Sequence, residues 1–401
     1  MDKRGAGRKL GVIVFIILWG GYLALTLLLF HRQTVHYGGN YDSDIGPYVF
    51  YMQGINVGYE YPYPVMFWLG RFFMIFVEPR MAMAFSVTAL NGLTVPILKY
   101  YISKYVQKDG AWTIGKDIFS TALTFSMLFV SMLFMDLSEE SIGWRYRGVF
   151  SPNPYHNATY LVARPFAIVC FFMFADLLKT YEREINWKKN LLFAAFLLLC
   201  TMTKPSFMLG FVVMAALILF YRTCRCRFGN FAKTMCLALC ALPTFFMLLY
   251  QFGGVFTGKN SMGEEAGIGF GFLEAWITQE KPVGEALILG LALPVVVLLF
   301  NWKNIKEDGA YRLSWQYLLV NLAMLVLLYE KGYRKEHVNF AWGYMYAMFF
   351  SYLMSALVIW KSACKKTTPV WATILQAGMY VWHLVCGIVY FSNVMSGGIF
   401  S

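Results

Sequence analysis

Two aspartates, Asp42 and Asp44, are separated by one residue in the stretch GGNYDSDIGPYVF, residues 38–50. Carboxylates at positions i and i+2 of an extended or turning segment can point the same way. Such a pair can accept a proton from a hydroxyl nucleophile, or hold a divalent cation through its oxygens. Helix capping is the structural alternative, because Asp is a favoured N-cap residue. Tyr41, which precedes the pair, is a further candidate site residue.

A second acidic cluster, MDLSEE, contains Asp136, Glu139 and Glu140. Asp136 and Glu140 are four residues apart, so they share one face if the segment is helical. We regard Asp136, Glu139 and Glu140 as candidate site residues. A solvated helix end is the structural alternative for the same pattern.

Basic residues that could bind a phosphate occur in two short segments. Lys204 lies in TMTKPSF, between two apolar runs that leave almost no loop. There it could bind a phosphate as a compact point charge, or simply extend to the membrane surface. The segment EKGYRKEHVNFAW carries Arg334 and His337. A guanidinium can bind phosphate oxygens bidentately, so Arg334 and His337 are candidates for the same ligand.

The segment SPNPYHNATYLVARPF supplies two further candidate site residues, His156 and Arg164. It also contains Asn157-Ala158-Thr159, which matches the sequence required for N-glycosylation. Because this tripeptide lies only a few residues from an apolar run, we expect no glycan there.

Helices that cross a membrane must position these residues. Only 14% of the 401 residues are charged and 59% are hydrophobic, whereas about a quarter of a soluble domain is charged. Apolar runs of roughly 17–25 residues cross a bilayer as helices, because open strands would leave backbone groups unsatisfied. The sequence therefore predicts an all-α polytopic membrane protein, a single domain over residues 1–401 with about eleven spans. The predicted spans are 10–30, 82–103, 118–135, 161–178, 190–203, 206–221, 234–250, 284–301, 315–329, 341–360 and 370–392.

The distribution of charge predicts the orientation of the chain. Segments on the N-terminal side of the membrane hold 21 of the 34 lysines and arginines, as expected of cytosolic loops. The net charge of +12 therefore reflects topology, and no nucleic-acid partner is expected. The first apolar run lacks a signal-peptide cleavage site, so we expect it to be retained with the N-terminus in the cytosol. A bacterial plasma membrane is the expected location, and the endoplasmic reticulum is the alternative.

With this orientation, the candidate residues fall on the extracytoplasmic side. They lie in, or next to, outer loops predicted at 31–81, 136–160, 251–283 and 330–340. The first of these loops is expected to contain two helices on the membrane surface. One is VMFWLGRFFMIFV, residues 65–77, which is too short to cross and contains Arg71. The other starts at Asp44, with Pro47 tolerated in its first turn.

The order of these features resembles the GT-C superfamily of glycosyltransferases that use polyprenyl-phosphate sugars, especially the lipid A aminoarabinose transferases and protein O-mannosyltransferases. Those families place an acidic residue in the first outer loop, where Asp42 and Asp44 lie, and another where Asp136 lies. Similar stretches here are EYPYPVMFWLGRFF, EPRMAMAFSVTALNGLTVPIL and MTKPS, with Lys204 in the position of the family lysine. The resemblance covers roughly residues 1–210. Tyr61 replaces another family lysine, and the Pro-Pro pair that follows it is interrupted.

The resemblance implies inverting transfer of a sugar from a polyprenyl-phosphate donor to a glycan, lipid or protein acceptor on the outer face. Asp44 or Asp42 would be the general base, while Lys204, Arg334 and Arg164 would stabilise the departing phosphate. Asp136 would be a further catalytic carboxylate. The residues that would bind the acceptor or the sugar, or support the site, are Tyr41, Glu139, Glu140 and His156. Fixed cations make a metal unnecessary in this scheme; a divalent cation at Asp42 and Asp44 is the alternative.

Two other functions are consistent with part of the pattern. A polymerase or ligase for undecaprenyl-pyrophosphate-linked glycans would use the same basic residues, but would not require an acid directly after the first span. A lipid or polysaccharide transporter should carry ionisable groups near the middle of the bilayer. His383 is the main candidate for such a group, and we expect it instead to be packed and hydrogen-bonded.

Overall fold

The structure is a computed structural model, and it describes residues 3–36, 40–41, 43–108, 110, 112–133, 150–256, 266–279 and 283–398. Four of the candidate residues, Asp42, Asp136, Glu139 and Glu140, lie outside the described residues. The chain is 78% helical with almost no sheet, which confirms the all-α prediction.

Sixteen α-helices and one small sheet are found in the described ranges. The helices are α1 (Lys3–Val35), α2 (Ile45–Met52), α3 (Pro64–Phe73), α4 (Pro79–Gly92), α5 (Thr94–Val106), α6 (Ile114–Phe129), α7 (Ala158–Thr180), α8 (Trp187–Thr203), α9 (Ser206–Arg225), α10 (Phe231–Ala238), α11 (Leu242–Phe256), α12 (Val283–Asn301), α13 (Asn304–Glu307), α14 (Gly309–Leu327), α15 (Ala341–Lys365) and α16 (Val370–Met395). Strand β1 (Ile268–Phe270) pairs antiparallel with β2 (Leu328–Glu330). Short 3₁₀ helices cover Leu239–Ala241, Trp276–Gln279 and Gly332–His337.

Among the described residues, eight helical segments are long and apolar enough to cross a membrane. They are Gly7–Val35, Pro79–Val106, Ala158–Thr180, Ser206–Arg225, Phe231–Phe256, Val283–Asn301, Gly332–Lys365 and Val370–Met395. The other three predicted spans coincide with α6, α8 and α14, which are helical but shorter or less apolar. The protein is therefore a multi-pass α-helical membrane protein.

Helices α7 and α15 form the centre of the bundle, since most of their side chains are buried. Their aromatic rings stack, with centroids 4.1 Å apart for Tyr160 and Tyr346 and 4.2 Å apart for Phe171 and Phe350. The Tyr346 hydroxyl also donates to the carbonyl of Tyr160. Because α7 begins beside Asn157, this rigid contact fixes the position of the segment that reaches the candidate site.

The span predicted at 118–135 is wrong at its C-terminal end, because α6 stops at Phe129. The following residues 130–132 are buried, and their backbone groups bond to other elements. The N–H of Ser131 donates to the carbonyl of His383, and the Asn153 amide donates to the carbonyl of Val130. Irregular backbone is tolerated in a membrane protein where protein groups satisfy it in this way. The ring of His383 lies 2.8 Å from the Ser131 carbonyl, so this histidine is packed and hydrogen-bonded, as expected.

Both segments predicted to form surface helices in the first outer loop are helical, as α2 and α3. Helix α3 is fixed to α4, because the Ser86 hydroxyl donates to the carbonyl of Met66. Helix α4 in turn begins at Glu78, whose carboxylate accepts from two backbone N–H groups of the first turn. Helix α2 is tied to α3, because the Arg71 side chain donates to the carbonyl of Met52.

Candidate functional site

One cavity, of about 690 Å³, collects side chains from widely separated parts of the chain. Its wall includes the starts of α2 and α7, the segment 59–63, the junction between α8 and α9, helix α11, and the segment from Glu330 to Trp342. Four of the residues selected from sequence line it: Asp44, Lys204, Arg334 and His337. They come from positions up to 293 residues apart in the chain, and the bundle brings them together.

Asp44 occupies the N-cap position of α2, but its side chain makes no capping hydrogen bond. Instead, Oδ2 accepts a hydrogen bond of 2.5 Å from the Asn157 side-chain amide. The neighbouring Ser43 hydroxyl donates to the carbonyl of His156, which ties this turn to the start of α7. The capping role considered from sequence is therefore not the role of the Asp44 carboxylate, which is exposed and lines the cavity.

Asn157 connects Asp44 with Lys204. Its Oδ1 atom accepts from Lys204 Nζ at 2.8 Å, while its amide nitrogen donates to Asp44. Lys204 Nζ also donates to the Thr159 hydroxyl at 2.8 Å and lies 4.4 Å from the centroid of the Trp342 ring. The tripeptide that matches a glycosylation sequence thus provides a buried polar hub, which we define as Asp44, Asn157, Thr159 and Lys204.

Burial determines the charge of two groups at the hub. The Lys204 side chain is only 8% exposed, and burial lowers its pKa to about 7, with Asp44 acting in the opposite direction. Burial also lowers the pKa of His156 to about 4, and the positive charge of Lys204 adds to this effect. His156 is therefore neutral at pH 7. It contacts the ring of Trp342 beside the cavity rather than lining it.

An ion pair holds Arg334 at the polar end of the cavity. Its Nε lies 3.2 Å from Glu330 Oε2, which also accepts from the Asn339 amide. Its guanidinium donates to the Tyr59 hydroxyl and packs over the Phe256 ring. The pairing of β1 with β2 positions Glu330, and burial raises the pKa of that carboxyl although Arg334 opposes the rise. These contacts hold the Arg334 side chain, which is just 5% exposed, at the cavity wall.

Tyrosines line the polar end of the cavity between Asp44 and Arg334. Tyr61 lies at their centre, with ring centroids 4.8 Å from Tyr48 and 5.1 Å from Tyr59. Burial, followed by the nearby Asp44 charge, raises the pKa of both Tyr48 and Tyr61. Both phenols are therefore neutral, and can donate or accept hydrogen bonds at physiological pH.

Gln251 closes the space beneath these rings. Its amide nitrogen donates to the carbonyls of Pro62 and Thr201, so it joins α11 to the segment 59–63 and to α8. Its Oε1 atom is buried with no hydrogen-bond partner among the described residues. This oxygen belongs to a cavity-lining residue and remains available as an acceptor.

The other end of the cavity is apolar and opens between α9 and α11. Its lining residues Leu209, Phe245, Leu249 and Phe252 are exposed at 37–52% of their surface. In a membrane-spanning bundle, exposed side chains of this kind face hydrocarbon. The cavity therefore joins a charged end to an apolar groove, which we define by these four residues.

Two candidates are not at the cavity. Arg164 was expected to bind phosphate, but it is fully buried within the bundle, where it donates to the side-chain oxygens of Asn91 and Asn153. It lies nearly two helical turns inside α7, and its neighbours are protein groups that it holds together. Tyr41 packs against His36 and beneath the Arg32 guanidinium, and does not line the cavity.

No group of three or more His, Cys, Asp or Glu side chains is arranged to hold a metal ion in the part of the chain that the structure describes. Asp42 lies outside that part, so a cation shared by Asp42 and Asp44 stays a prediction.

Sequence reasoning missed several residues of the site, including Asn157, Thr159, Glu330 and Gln251. Asn157 and Thr159 were noticed only as a glycosylation sequence. Their signal was the placement of two hydrogen-bonding side chains at the start of a buried helix, next to a candidate histidine. Gln251 had a similar signal, because it is a polar amide at the end of an apolar run.

No protein-family model matches the chain, and no curated protein is significantly similar to it. The fold and the site therefore define the protein by class: a multi-pass α-helical membrane protein whose charged cavity continues into an apolar groove.

Proposed function

We propose that the protein is an integral-membrane glycosyltransferase of the GT-C type. The proposed reaction is inverting transfer of a sugar from a polyprenyl-phosphate donor to a hydroxyl or amine of a glycan, lipid or protein acceptor. The observation that carries the proposal is that Asp44, Lys204 and Arg334 line one cavity, which continues into an apolar groove. A lipid-phosphate sugar needs a base, cations and an apolar path in this combination.

In the proposed reaction, Asp44 accepts the proton of the acceptor hydroxyl. The acceptor oxygen forms a bond to the anomeric carbon of the sugar, and the bond from that carbon to the phosphate oxygen breaks. The electron pair of the broken bond leaves with the polyprenyl phosphate, which gains one negative charge. Lys204 and Arg334 stabilise that charge, because fixed cations in a water-poor site act strongly where charge develops. Attack from the side opposite the phosphate inverts the anomeric centre.

The remaining cavity residues suit the sugar and the lipid. Tyr48 and Tyr61 offer neutral hydroxyls and ring faces, and Gln251 offers an acceptor oxygen to a sugar hydroxyl. The apolar groove suits the first prenyl units of the donor, since its exposed side chains would already face hydrocarbon. A soluble nucleotide-sugar would gain nothing from such a groove.

The proposal includes eleven spans, with α6, α8 and α14 completing the eight apolar segments, and a cytosolic N-terminus. The cavity then lies on the extracytoplasmic side of a plasma membrane. Support comes from the charge distribution, because the helix ends farthest from the cavity carry the lysine- and arginine-rich segments.

The test is sugar transfer by the purified full-length protein, with polyprenyl-phosphate and polyprenyl-pyrophosphate sugars supplied to a panel of acceptors. We expect transfer from the monophosphate donor, and loss of at least a hundredfold in rate in Asp44→Asn. Glu60→Gln is the matched control, because Glu60 is an exposed acid of the same loop that does not line the cavity.

Normal turnover by Asp44→Asn would overturn the proposed role of this carboxylate. Transfer from pyrophosphate donors alone would favour a polymerase or ligase. Consumption of neither class of donor would overturn the proposed activity.

A further inference from the structure

A second cleft, of about 570 Å³, lies between α7, α9 and α14. It is at the helix ends opposite the candidate site: α7 and α9 begin at that site and end at the cleft. Because α7 has 23 residues, the two places are roughly 30 Å apart along the bundle. The cleft therefore has no part in the proposed transfer.

Four cations line the cleft, and none of its lining residues in the described chain is acidic. The cations are Lys179, Arg222, Arg225 and Arg312. Cations near helix C-termini are common, because they complement the helix dipole, and this alone would not indicate a ligand. Here, however, residues from three different helices point their charge into one concave space.

Two of the four cations are already held by the protein. Arg222 donates to the carbonyl of Leu178 and contacts Glu182, while Arg312 donates to the carbonyls of Ile305 and Lys306. These bonds fix both guanidinium groups at the wall of the cleft. They also mean that substituting either residue would disturb the fold.

The other two cations are exposed. The Lys179 side chain is 57% exposed, and its Nζ forms an exposed ion pair of 2.5 Å with Asp176, which also binds Lys104. Arg225 is exposed in the last turn of α9 and has no acidic partner among the described residues. Both can therefore contact a ligand without losing a buried interaction.

The remaining wall of the cleft is apolar and faces outward. Leu217 and Leu319 are more than half exposed, and so is Tyr221 at the level of the arginines. Tyrosines are typical of the boundary between headgroups and hydrocarbon. The cleft thus combines cations at the ends of its helices with exposed leucines one to two turns further into the bundle.

We infer that this cleft binds an anionic phospholipid, with its phosphate at the four cations and its acyl chains along Leu217 and Leu319. Basic pockets between membrane helices on the cytosolic side recognise anionic headgroups in this way. A soluble anion would use the cations alone. The apolar wall is the reason for assigning a lipid, since it adds contact area that only a molecule with acyl chains can cover.

The test is native mass spectrometry of the detergent-purified full chain, titrated with phosphatidylglycerol or phosphatidylcholine. We expect phosphatidylglycerol to bind at least tenfold more tightly. The double variant Lys179→Gln/Arg225→Gln should weaken its binding roughly thirtyfold, the equivalent of about 2 kcal/mol for two exposed cations. Lys366→Gln is the matched control, because Lys366 is an exposed lysine at the same end of the bundle, outside the cleft.

Each alternative result counts against the inference. Equal binding of the two lipids would overturn it, as would equal loss of binding in the double variant and in Lys366→Gln. Competition by millimolar inorganic phosphate that displaces the lipid completely would assign the cleft to a soluble anion instead. Unchanged unfolding temperatures in the absence of lipid confirm that the variants remain folded; a variant that unfolds is replaced by the single Arg225→Gln.

Discussion

Replacing Lys204 with methionine should abolish the proton uptake that accompanies binding of a lipid-phosphate sugar. In the empty cavity, burial lowers the pKa of Lys204 to about 7, while the Asp44 carboxylate opposes the shift. With that pKa, roughly a tenth of the amine is protonated at pH 8 and roughly nine tenths at pH 6. A bound phosphodiester favours the protonated amine, because its negative charge compensates for the hydration that the lysine loses on burial.

The size of the effect follows from these fractions. If the amine is fully protonated in the complex, binding takes up about 0.9 proton per donor at pH 8 and about 0.1 at pH 6. The donor affinity should accordingly fall about fivefold from pH 7 to pH 8 and about ninefold more from pH 8 to pH 9. The donor itself keeps one negative charge throughout, and His156, with its pKa of about 4, stays neutral.

Isothermal titration calorimetry measures this uptake when one donor is titrated, without acceptor, in buffers of different ionisation enthalpy. Lys204→Met should bind the donor weakly, with no uptake and no dependence on pH over this range. Lys335→Met is the matched control, because Lys335 pairs with Glu274 away from the cavity and should leave both properties unchanged. Wild-type binding at pH 8 without proton uptake, or uptake that persists in Lys204→Met, would refute the reasoning.

Three further substitutions test other parts of the structure. Asn157→Ala removes the side-chain amide that is hydrogen-bonded to both Asp44 and Lys204. We therefore expect kcat/KM for transfer to fall roughly a hundredfold in initial-rate assays. Leu249→Asp places a charge in the apolar groove and should weaken binding of long-chain donors while sparing donors with one prenyl unit; equal effects on both would argue against a lipid path. Gly387→Ala should lower the unfolding temperature, because its Cβ would lie 1.6 Å from the Phe129 carbonyl oxygen. Gly378→Ala in the same helix, where a Cβ meets nothing within 4 Å, should not.

The sequence was sufficient to locate the helices, because an apolar run in a membrane protein can satisfy its backbone only as a helix. Each of the eleven predicted spans overlaps a helix of the structure. The stop of α6 at Phe129 was not predictable, since the residues around it are as apolar as those in the helix. The partners of Ser131 and its neighbours come from distant segments, including the backbone of His383 in α16.

Arg164 and Asn157 show why a site can be only partly inferred from residue types. A charged residue near the predicted end of a span resembles a ligand-binding residue, but its depth and the face of the helix that it occupies decide its role. Arg164 faces the packed centre, where its two terminal nitrogens donate to Asn153 and Asn91. Asn157 stands out in the sequence only as part of a glycosylation tripeptide, whereas its side chain is 3% exposed and bonded within the hub.

The hub also explains how opposite charges can remain usable in one cavity. A direct ion pair between Asp44 and Lys204 would neutralise both groups and occupy the carboxylate oxygens that a base requires. Asn157 is placed between them instead, donating to the carboxylate and accepting from the amine. An amide does this with no charge of its own, so it orients both groups while keeping them apart. The carboxylate can then face an acceptor and the amine can face a departing phosphate, which is the separation of base and cation that the proposed transfer requires.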